Sequence, residues 1–381
     1  MRPAPARMHA RYIPALDGLR AVSIGLVVVS HLGIGGAGFE RWVPGAFGVT
    51  LFFFISGYLI TRQLAASLAA RGRIGFARFY ARRVLRLMPA AVVYIVVAGC
   101  CYRMAGGRIS VSGWAAALVY GANYYDLWQG YRTNLAGVRH PFNILWSLAI
   151  EEHFYLLWPA ALALVWRRRA LECVLLLSAA VLVWRFALLH FCFVAGAPAI
   201  CGPENLNPLW RYNRLYLATD ARFDSIAWGA ALALLEARGL FVAGWAGLVG
   251  ALILAVSFVG GGPLARDVLR PTLQGVALLA IVPRLLDGAG RGARLLAARP
   301  SVYVGRLSYS LYLWHWGALA VADWSAPRFG GLWLGIAVSL SAGLALASYY
   351  GIERPMLGLR HRFGSHAPLG LTDEGVVHAA D

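Results

Sequence analysis

Apolar runs long enough to cross a hydrocarbon layer recur along the whole chain, separated by short polar segments. A spanning helix needs about 20 mostly apolar residues. The pattern predicts ten, at 14–33, 46–66, 88–103, 144–166, 170–191, 217–236, 240–260, 267–286, 303–322 and 332–352. One further stretch, 111–124 ("VSGWAAALVYGANY"), is too short and too interrupted to span and reads as re-entrant or interfacial. The expected fold is all-α: a polytopic membrane helix bundle of about ten transmembrane helices, with N- and C-termini cytoplasmic.

Composition supports this. The chain is 60% hydrophobic and only 14% charged, a balance outside the range of ordinary soluble domains. All 35 basic residues are Arg, and the net charge is +18. Such a charge suits nucleic acid by count alone, but the arginines fall between the apolar runs rather than on one soluble face, so no nucleic-acid partner is expected. With the N-terminus inside, 22 Arg fall on the cytoplasmic side, 10 outside and three (Arg62, Arg185, Arg222) within helices, in keeping with the positive-inside rule. Making 111–124 a full crossing would turn the "WRRRA" run at 166–170 and Arg360–Arg362 outward.

The basic lead at 1–13 resembles the start of a signal peptide, but no small-residue cleavage site follows it, so 14–33 is kept as helix 1. Residues 14–357 read as one membrane domain and 358–381 as a disordered cytoplasmic tail. No soluble domain, long linker or internal repeat is visible. Five Cys form no CxxC and sit near no plausible zinc ligands, so no metal is expected. Cys192 and Cys201 share an outer loop, where an oxidising exterior permits a bridge; two separate thiols are the alternative.

Several ionisable groups lie inside the apolar runs. Arg20 and His31 are eleven residues apart in helix 1, hence on nearly one face and about 16 Å apart along the axis. Ionisable groups at that depth are costly unless they are paired or face a polar cavity. The bland reading is that Arg20 snorkels to the interface while His31 bonds a neighbouring carbonyl. Other polar groups recur at the same depths, however. "NILWSLAIEEHFYLLWP" (143–159) brings Glu151 and Glu152 about two turns into the membrane, "TDARFDSIAWG" (219–229) brings Asp220, Arg222 and Asp224, and "GRLSYSLYLWHW" (305–316) brings His315. A polar cluster in the outer half is expected. A second cluster faces the cytoplasm: "RGRIGFARFYARRVLRLMP" (71–89) has six Arg and no acid, with Arg82, Arg83 and Arg86 on or beside one helical face. Guanidinium forks suit phosphate, so this patch fits a multiply phosphorylated cofactor or anionic lipid.

These segments resemble the acyltransferase 3 family of integral membrane acyltransferases. The resemblance runs over residues 11–357 and rests on Arg20 with His31, "GVTLFFFISGYLITRQL" (48–64), "RRVLRLMP" (82–89), "WSLAIEEHFYLLWP" (146–159), "TDARFDSIAWGAALA" (219–233), "LSYSLYLWHW" (307–316) and "ERP" (353–355). His153 stands where Gln is common, and Gly317 where Pro often follows the His-Trp pair. The resemblance implies transfer of an acyl group, most often acetyl from acetyl-CoA or another acyl-CoA, onto hydroxyls of extracytoplasmic glycans such as O-antigen, exopolysaccharide or peptidoglycan, in the bacterial inner membrane. Some members modify macrolides, and several carry a C-terminal esterase-like domain, to which nothing in these 381 residues corresponds.

Residues and resemblance together give an expected mechanism. CoA phosphates rest on Arg82, Arg83 and Arg86, with Arg20 nearer the thioester arm. His31 is the general base, Glu152 orients it, and Arg222 or His315 stabilises the oxyanion. An acyl-imidazole on His31 is the mechanistic alternative. A glycan or lipid-linked sugar transporter is the rival of another class, although no matching pair of halves is visible. The acceptor's identity, the acyl chain length and the oligomeric state are not legible in the sequence.

Overall fold

The structure is a computed structural model, described for residues 12–33, 44–129, 139–166, 169–193, 214–240, 242, 244–288, 290–328 and 330–359. The pair Cys192 and Cys201, most of the 1–13 lead and the tail beyond 359 lie outside the described residues or side chains. The main helices run α1 (Pro14–Leu32), α2 (Gly45–Arg71), α3 (Phe76–Met104), α6 (Leu145–Val165), α7 (Ala170–Phe193), α8 (Thr219–Ala237), α9 (Ala246–Ser257), α10 (Arg270–Leu286), α12 (Arg299–Ser325) and α13 (Gly331–Ser348). Two short helices, α4 (Val111–Leu118) and α5 (Ala122–Gln129), lie between α3 and α6; α11 (Arg291–Leu296) precedes α12, and α14 (Arg354–Leu359) ends the described chain.

By length and composition, seven helical segments among the described residues are long and apolar enough to cross a membrane, the shorter α9 is apolar throughout, and α8 and α12 are long but carry more polar groups. The molecule is a multi-pass helical membrane bundle. The segment read as too short to span is the pair α4–α5, eight residues each, with Ser110 capping α4 by accepting from the Gly113 amide.

One boundary moves substantially. The third helix starts at Phe76 rather than 88, so Arg78, Arg82, Arg83 and Arg86 of the arginine run lie on its first three turns, while Arg71 ends α2 and Arg73 lies between the two helices. Its 29 residues rise about 43 Å, more than the roughly 30 Å hydrocarbon core, so the basic turns extend beyond the apolar layer. Hydropathy detects burial in lipid, and these turns are helical without being buried in it.

Local signals set the ends. Pro14 opens α1, where its missing N–H costs nothing, and Gly33 (φ 62°) closes it in the left-handed region. Pro89 and Pro159 sit inside α3 and α6, which membrane helices tolerate when neighbours satisfy the freed carbonyls.

Helix α2 is the centre of the bundle, packed on α1 and α8. Within its apolar window 67% of residues are buried, against 28% for α7, which therefore presents a lipid face. Helix α12 packs on α1 and α13, α8 on α7, and α9 on α10. The α2–α8 contact is built on glycine: a Cβ on Gly57 would meet the Ile226 carbonyl oxygen at 2.0 Å, and one on Gly229 the Phe54 carbonyl oxygen at 1.9 Å. Small residues let membrane helices approach backbone to backbone. Across α7, α8 and α10, Arg185 is fully buried, forks onto Asp224 at 2.9 and 2.7 Å and also bonds Thr272, while Thr272 donates to Asp224 at 2.8 Å.

Candidate active site

The end of α1 and the middle of α12 bring His31 and His315 together. His31 Nδ1 and His315 Nε2 are 2.9 Å apart, with the rings 6° from parallel. The outer atom of the pair fixes the tautomers. His315 Nδ1 lies 2.8 Å from the Leu311 carbonyl oxygen, which can only accept, so that nitrogen carries the proton. In a neutral ring His315 Nε2 is then an acceptor, His31 Nδ1 is the donor to it, and His31 Nε2 keeps its lone pair. The chain Leu311–His315–His31 thus supplies what a carboxylate supplies elsewhere: an oriented imidazole with one basic nitrogen.

A lid of loop and helix residues covers the pair. Trp316 sets its ring edge-on to His31 at 4.9 Å and donates to the His140 carbonyl at 2.9 Å. Arg139 lies over Trp316, donates to the His31 carbonyl oxygen at 3.3 Å and pairs with Asp323 at 2.8 Å. Asp323 also takes Arg328 and the Trp333 indole. Burial lowers the Arg139 guanidinium from its usual range and holds the neighbouring His140 imidazole down at about 4, so His140 is neutral at ordinary pH.

From the opposite end a cavity of about 720 Å³, including the space open at its mouth, runs between α2, α3, α6 and α12. Arg20, Arg83, Arg86 and Gln63 line it near the arginine-rich end, and Val49, Phe53, Ser147 and Tyr312 line it at depth. From Gln63 to Val49, α2 rises about 21 Å, the length of a narrow arm rather than of a compact molecule. Arg83 is stacked over Tyr155 at 4.7 Å, which fixes its direction. Glu353, in a π-helical turn (Tyr349–Glu353) after α13, is buried, accepts from Ser310 and feels the charges of Arg86 and Arg20.

The cavity ends at a hydroxyl pair: Ser147 Oγ and the Tyr312 hydroxyl are 2.5 Å apart, and Tyr312 reaches the Ile144 carbonyl at 3.2 Å. The Tyr312 ring is also 5.9 Å from that of His315, so the histidine pair lies one side chain beyond the cavity wall.

Of the residues expected from sequence, Arg20, Arg83 and Arg86 share the cavity, and half-buried His31 and buried His315 form the histidine pair. The others are placed differently. His31 Nδ1 is engaged by His315 and not by Glu152; on α6 it is Glu151 that faces the cavity, accepting from Ser56 at 2.9 Å, while Glu152 lies nearer Arg83 and Tyr120. Arg82 is absent from the cavity lining. Arg222 donates to Thr50 at 3.0 Å, lies over Phe53 and Tyr216, and lines a separate cavity. Sequence reasoning missed Arg139, Asp323, Ser147 and Tyr312. Only Ser147 and Tyr312 carried a signal, as polar members of apolar runs. Among the described residues no group of three or more His, Cys, Asp or Glu side chains is placed to hold a metal ion.

Comparison with known proteins bears on this arrangement. Residues 13–351 match the Acyltransferase domain family. The chain is 29% identical over 343 residues to the peptidoglycan O-acetyltransferase OatA of Listeria monocytogenes, a match covering 81% of this chain and 50% of that protein. It is 27% identical over 370 residues to the O-acetyltransferase OatA of Staphylococcus aureus strain NCTC 8325, covering 91% and 57%. The chain therefore spans about half the length of these curated relatives. No solved structure matches it.

Proposed function

Because the chain belongs to the Acyltransferase domain family, we propose that it is a membrane O-acyltransferase, moving an acyl group, acetyl first among them, from cytoplasmic acyl-CoA to a hydroxyl of an extracytoplasmic glycan. The observation that carries this reading is the long cavity with Arg20, Arg83 and Arg86 at its mouth and a histidine pair, His315 buried and His31 half-buried, one side chain beyond its inner end. The listerial relative's name places its own activity on peptidoglycan, which makes a cell-wall glycan the first acceptor to try.

In this reading the nucleotide phosphates rest at the cavity mouth, where Arg83 and Arg86 can fork onto their oxygens. The arm lies along α2, and its thioester arrives under Tyr312. Rotation of the Tyr312 ring away from Ser147 opens the last layer to the histidines. The acceptor hydroxyl gives its proton to His31 Nε2 as its oxygen attacks the thioester carbonyl. The tetrahedral intermediate collapses with cleavage of the C–S bond, forming the ester; the departing thiolate takes the proton back from the imidazolium. His315 steadies that imidazolium by accepting from Nδ1–H throughout. The Ser147 hydroxyl, released from Tyr312, is then available to donate to the carbonyl oxygen.

The test is transfer by purified protein in lipid nanodiscs, supplied with radiolabelled acetyl-CoA and solubilised peptidoglycan strands or another surface glycan. Label should appear in the glycan as alkali-labile ester and be lost in His31→Ala that remains folded. Consumption of no acyl-CoA, with or without acceptor, would refute the assignment; transfer undiminished in His31→Ala would remove that residue from the chemistry.

A further inference from the structure

His31 sits on the last turn of α1, and the last turn of a helix is where backbone order is weakest, because its final four carbonyls have no partner within the helix. In α1 these belong to Val29, Ser30, His31 and Leu32. The Gly33 amide takes the Ser30 carbonyl at 3.1 Å. The His31 carbonyl is taken by a guanidinium from 108 positions further along the chain: Arg139 Nη2 donates to it at 3.3 Å. A cation at this end also complements the negative end of the helix dipole. Leu32 packs in an apolar cluster with Leu319 and Ala322 of α12 and Trp333 of α13. Apolar contact of this kind is non-directional, so it holds the turn against its neighbours without aiming it.

Direction comes from the other arm of the guanidinium. Arg139 Nη1 donates to Asp323 Oδ2 at 2.8 Å, and Asp323 stands on α12 eight residues beyond His315, about 12 Å along the axis. The Asp323 side chain is wholly buried and is held from two further places: Arg328 forks onto it at 2.7 and 2.8 Å, and the Trp333 indole donates at 3.1 Å. Arg139 Cζ sits 5.5 Å from the centre of the Trp316 ring, whose N–H is tied to the carbonyl of His140, the residue after Arg139. A planar guanidinium presents its two terminal nitrogens at a fixed spacing and angle. The His31 backbone is therefore located on α12 through Asp323, while its ring is located on α12 through His315. These two ties close a ring that runs from the His31 carbonyl through Arg139, Asp323 and the α12 backbone to His315 and back to the His31 imidazole.

We infer that Arg139, anchored by Asp323, is a positioning residue that fixes the direction in which His31 presents its basic nitrogen. This rests on the acyltransferase reading and adds to it the part that aims the base. An imidazole hinged on a frayed turn samples many directions, and misplacement by about 1 Å can cost about a hundredfold in rate. Arg139 is absent from the lining of the donor cavity, so its effect falls on turnover and not on donor binding.

The experiment measures acetyl transfer per folded protein in nanodiscs, as kcat and donor KM, for Arg139→Gln, Arg139→Lys, Asp323→Asn and the double change Arg139→Gln with Asp323→Asn. Arg139→Gln should lower kcat about 10–100-fold with donor KM little changed. Arg139→Lys keeps the charge without the fork and should recover only part of the loss. Asp323→Asn weakens the anchor and should lower kcat in the same way but less. The double variant should cost no more than Arg139→Gln alone, because the two residues act as one unit. Arg238→Gln removes an ion pair with Glu172 far from the histidines and should leave kcat as it was. Parental kcat in Arg139→Gln, full recovery with Lys, or losses that simply add in the double variant would each overturn the inference.

A second readout needs no turnover. In protein isotopically labelled at the histidine ring nitrogens, the magnetic-resonance signals lost in His31→Ala identify His31. They should report one fixed Nδ1–H tautomer in the parent and averaging of the two nitrogens in Arg139→Gln; identical spectra would overturn the inference. A parent that transfers nothing, yet shows the fixed tautomer and its loss in the variant, would sink the acyltransferase reading and sustain the role of Arg139.

Discussion

His31 of α1 and His315 of α12 are 284 positions apart in the chain and 2.9 Å apart in space, Nδ1 to Nε2. The Leu311 carbonyl beyond His315 decides which nitrogen of His31 is basic. His31→Ala should lower kcat by about 10²–10⁴, the usual worth of a general base, with little change in donor KM. His315→Ala should cost about 10–100-fold, the scale seen when an orienting partner is lost, and His315→Gln should recover part of it because its amide oxygen can accept from His31. Steady-state kinetics on folded variants decide the matter; parental activity in His315→Ala would show that the pair is only packed together.

The lining of the long cavity separates three arginines that share one run of sequence. Arg83→Gln and Arg86→Gln should each raise donor KM about tenfold or more, since a charge-assisted hydrogen bond contributes roughly 1.5–3 kcal/mol. Arg82→Gln, off the cavity wall, should change it much less. Equal effects at all three positions would point to a diffuse basic surface in place of a phosphate cradle.

Gly57 and Gly229 let α2 and α8 touch through their backbones. Gly229→Ala must push aside the Phe54 carbonyl and should destabilise the protein by about 1–3 kcal/mol or block its assembly. Gly25→Ala, with open space around the added methyl, should be nearly neutral. Thermal unfolding in detergent, followed by size-exclusion chromatography, compares the two.

The Arg185–Asp224 pair holds α7 to α8. Arg185→Met strands a buried carboxylate and should cost about 3–5 kcal/mol, whereas the double change Arg185→Met with Asp224→Leu should recover most of the loss, because a well-packed apolar pair escapes the desolvation penalty. Melting temperatures of the two single variants and the double variant form the cycle.

Asp126 on α5 gives a pH signature. Burial pushes its carboxyl up to about 7, above the ordinary carboxylate range. Between about pH 4 and 7 the folded protein therefore binds a proton that the unfolded chain releases, so this group's contribution to stability falls as pH rises through that window and levels off above it. Asp126→Asn should remove that fall. The difference in melting temperature between parent and variant, followed from pH 5 to 8, should grow with pH; a constant difference would show that Asp126 does not titrate there.

Sequence alone determined the class, a multi-pass helical membrane bundle, because bilayer thickness dictates the length of an apolar run and the cost of unsatisfied backbone in lipid leaves helix as the form available to it. It also determined that Arg20, His31 and His315 stand inside apolar runs, where ionisable groups are expensive, and that the 71–89 arginines form one dense basic stretch, which singled them out before any contact was known. Hydropathy, however, missed twelve residues of α3, since helix formation continues past the edge of the hydrocarbon layer. Nor could it choose between Glu151 and Glu152, which are about 100° apart on one helix: periodicity gives spacing, and only packing gives phase. Tertiary structure decided that phase, paired His31 with His315, set Tyr312 between them and the long cavity, and moved Arg222 to a different one. Each of these depends on how closely distant helices approach, as at the glycine contacts of α2 with α8 and of α12 with α1, where a Cβ on Gly305 would meet the Asp17 carbonyl oxygen at 1.9 Å, and no local pattern records it.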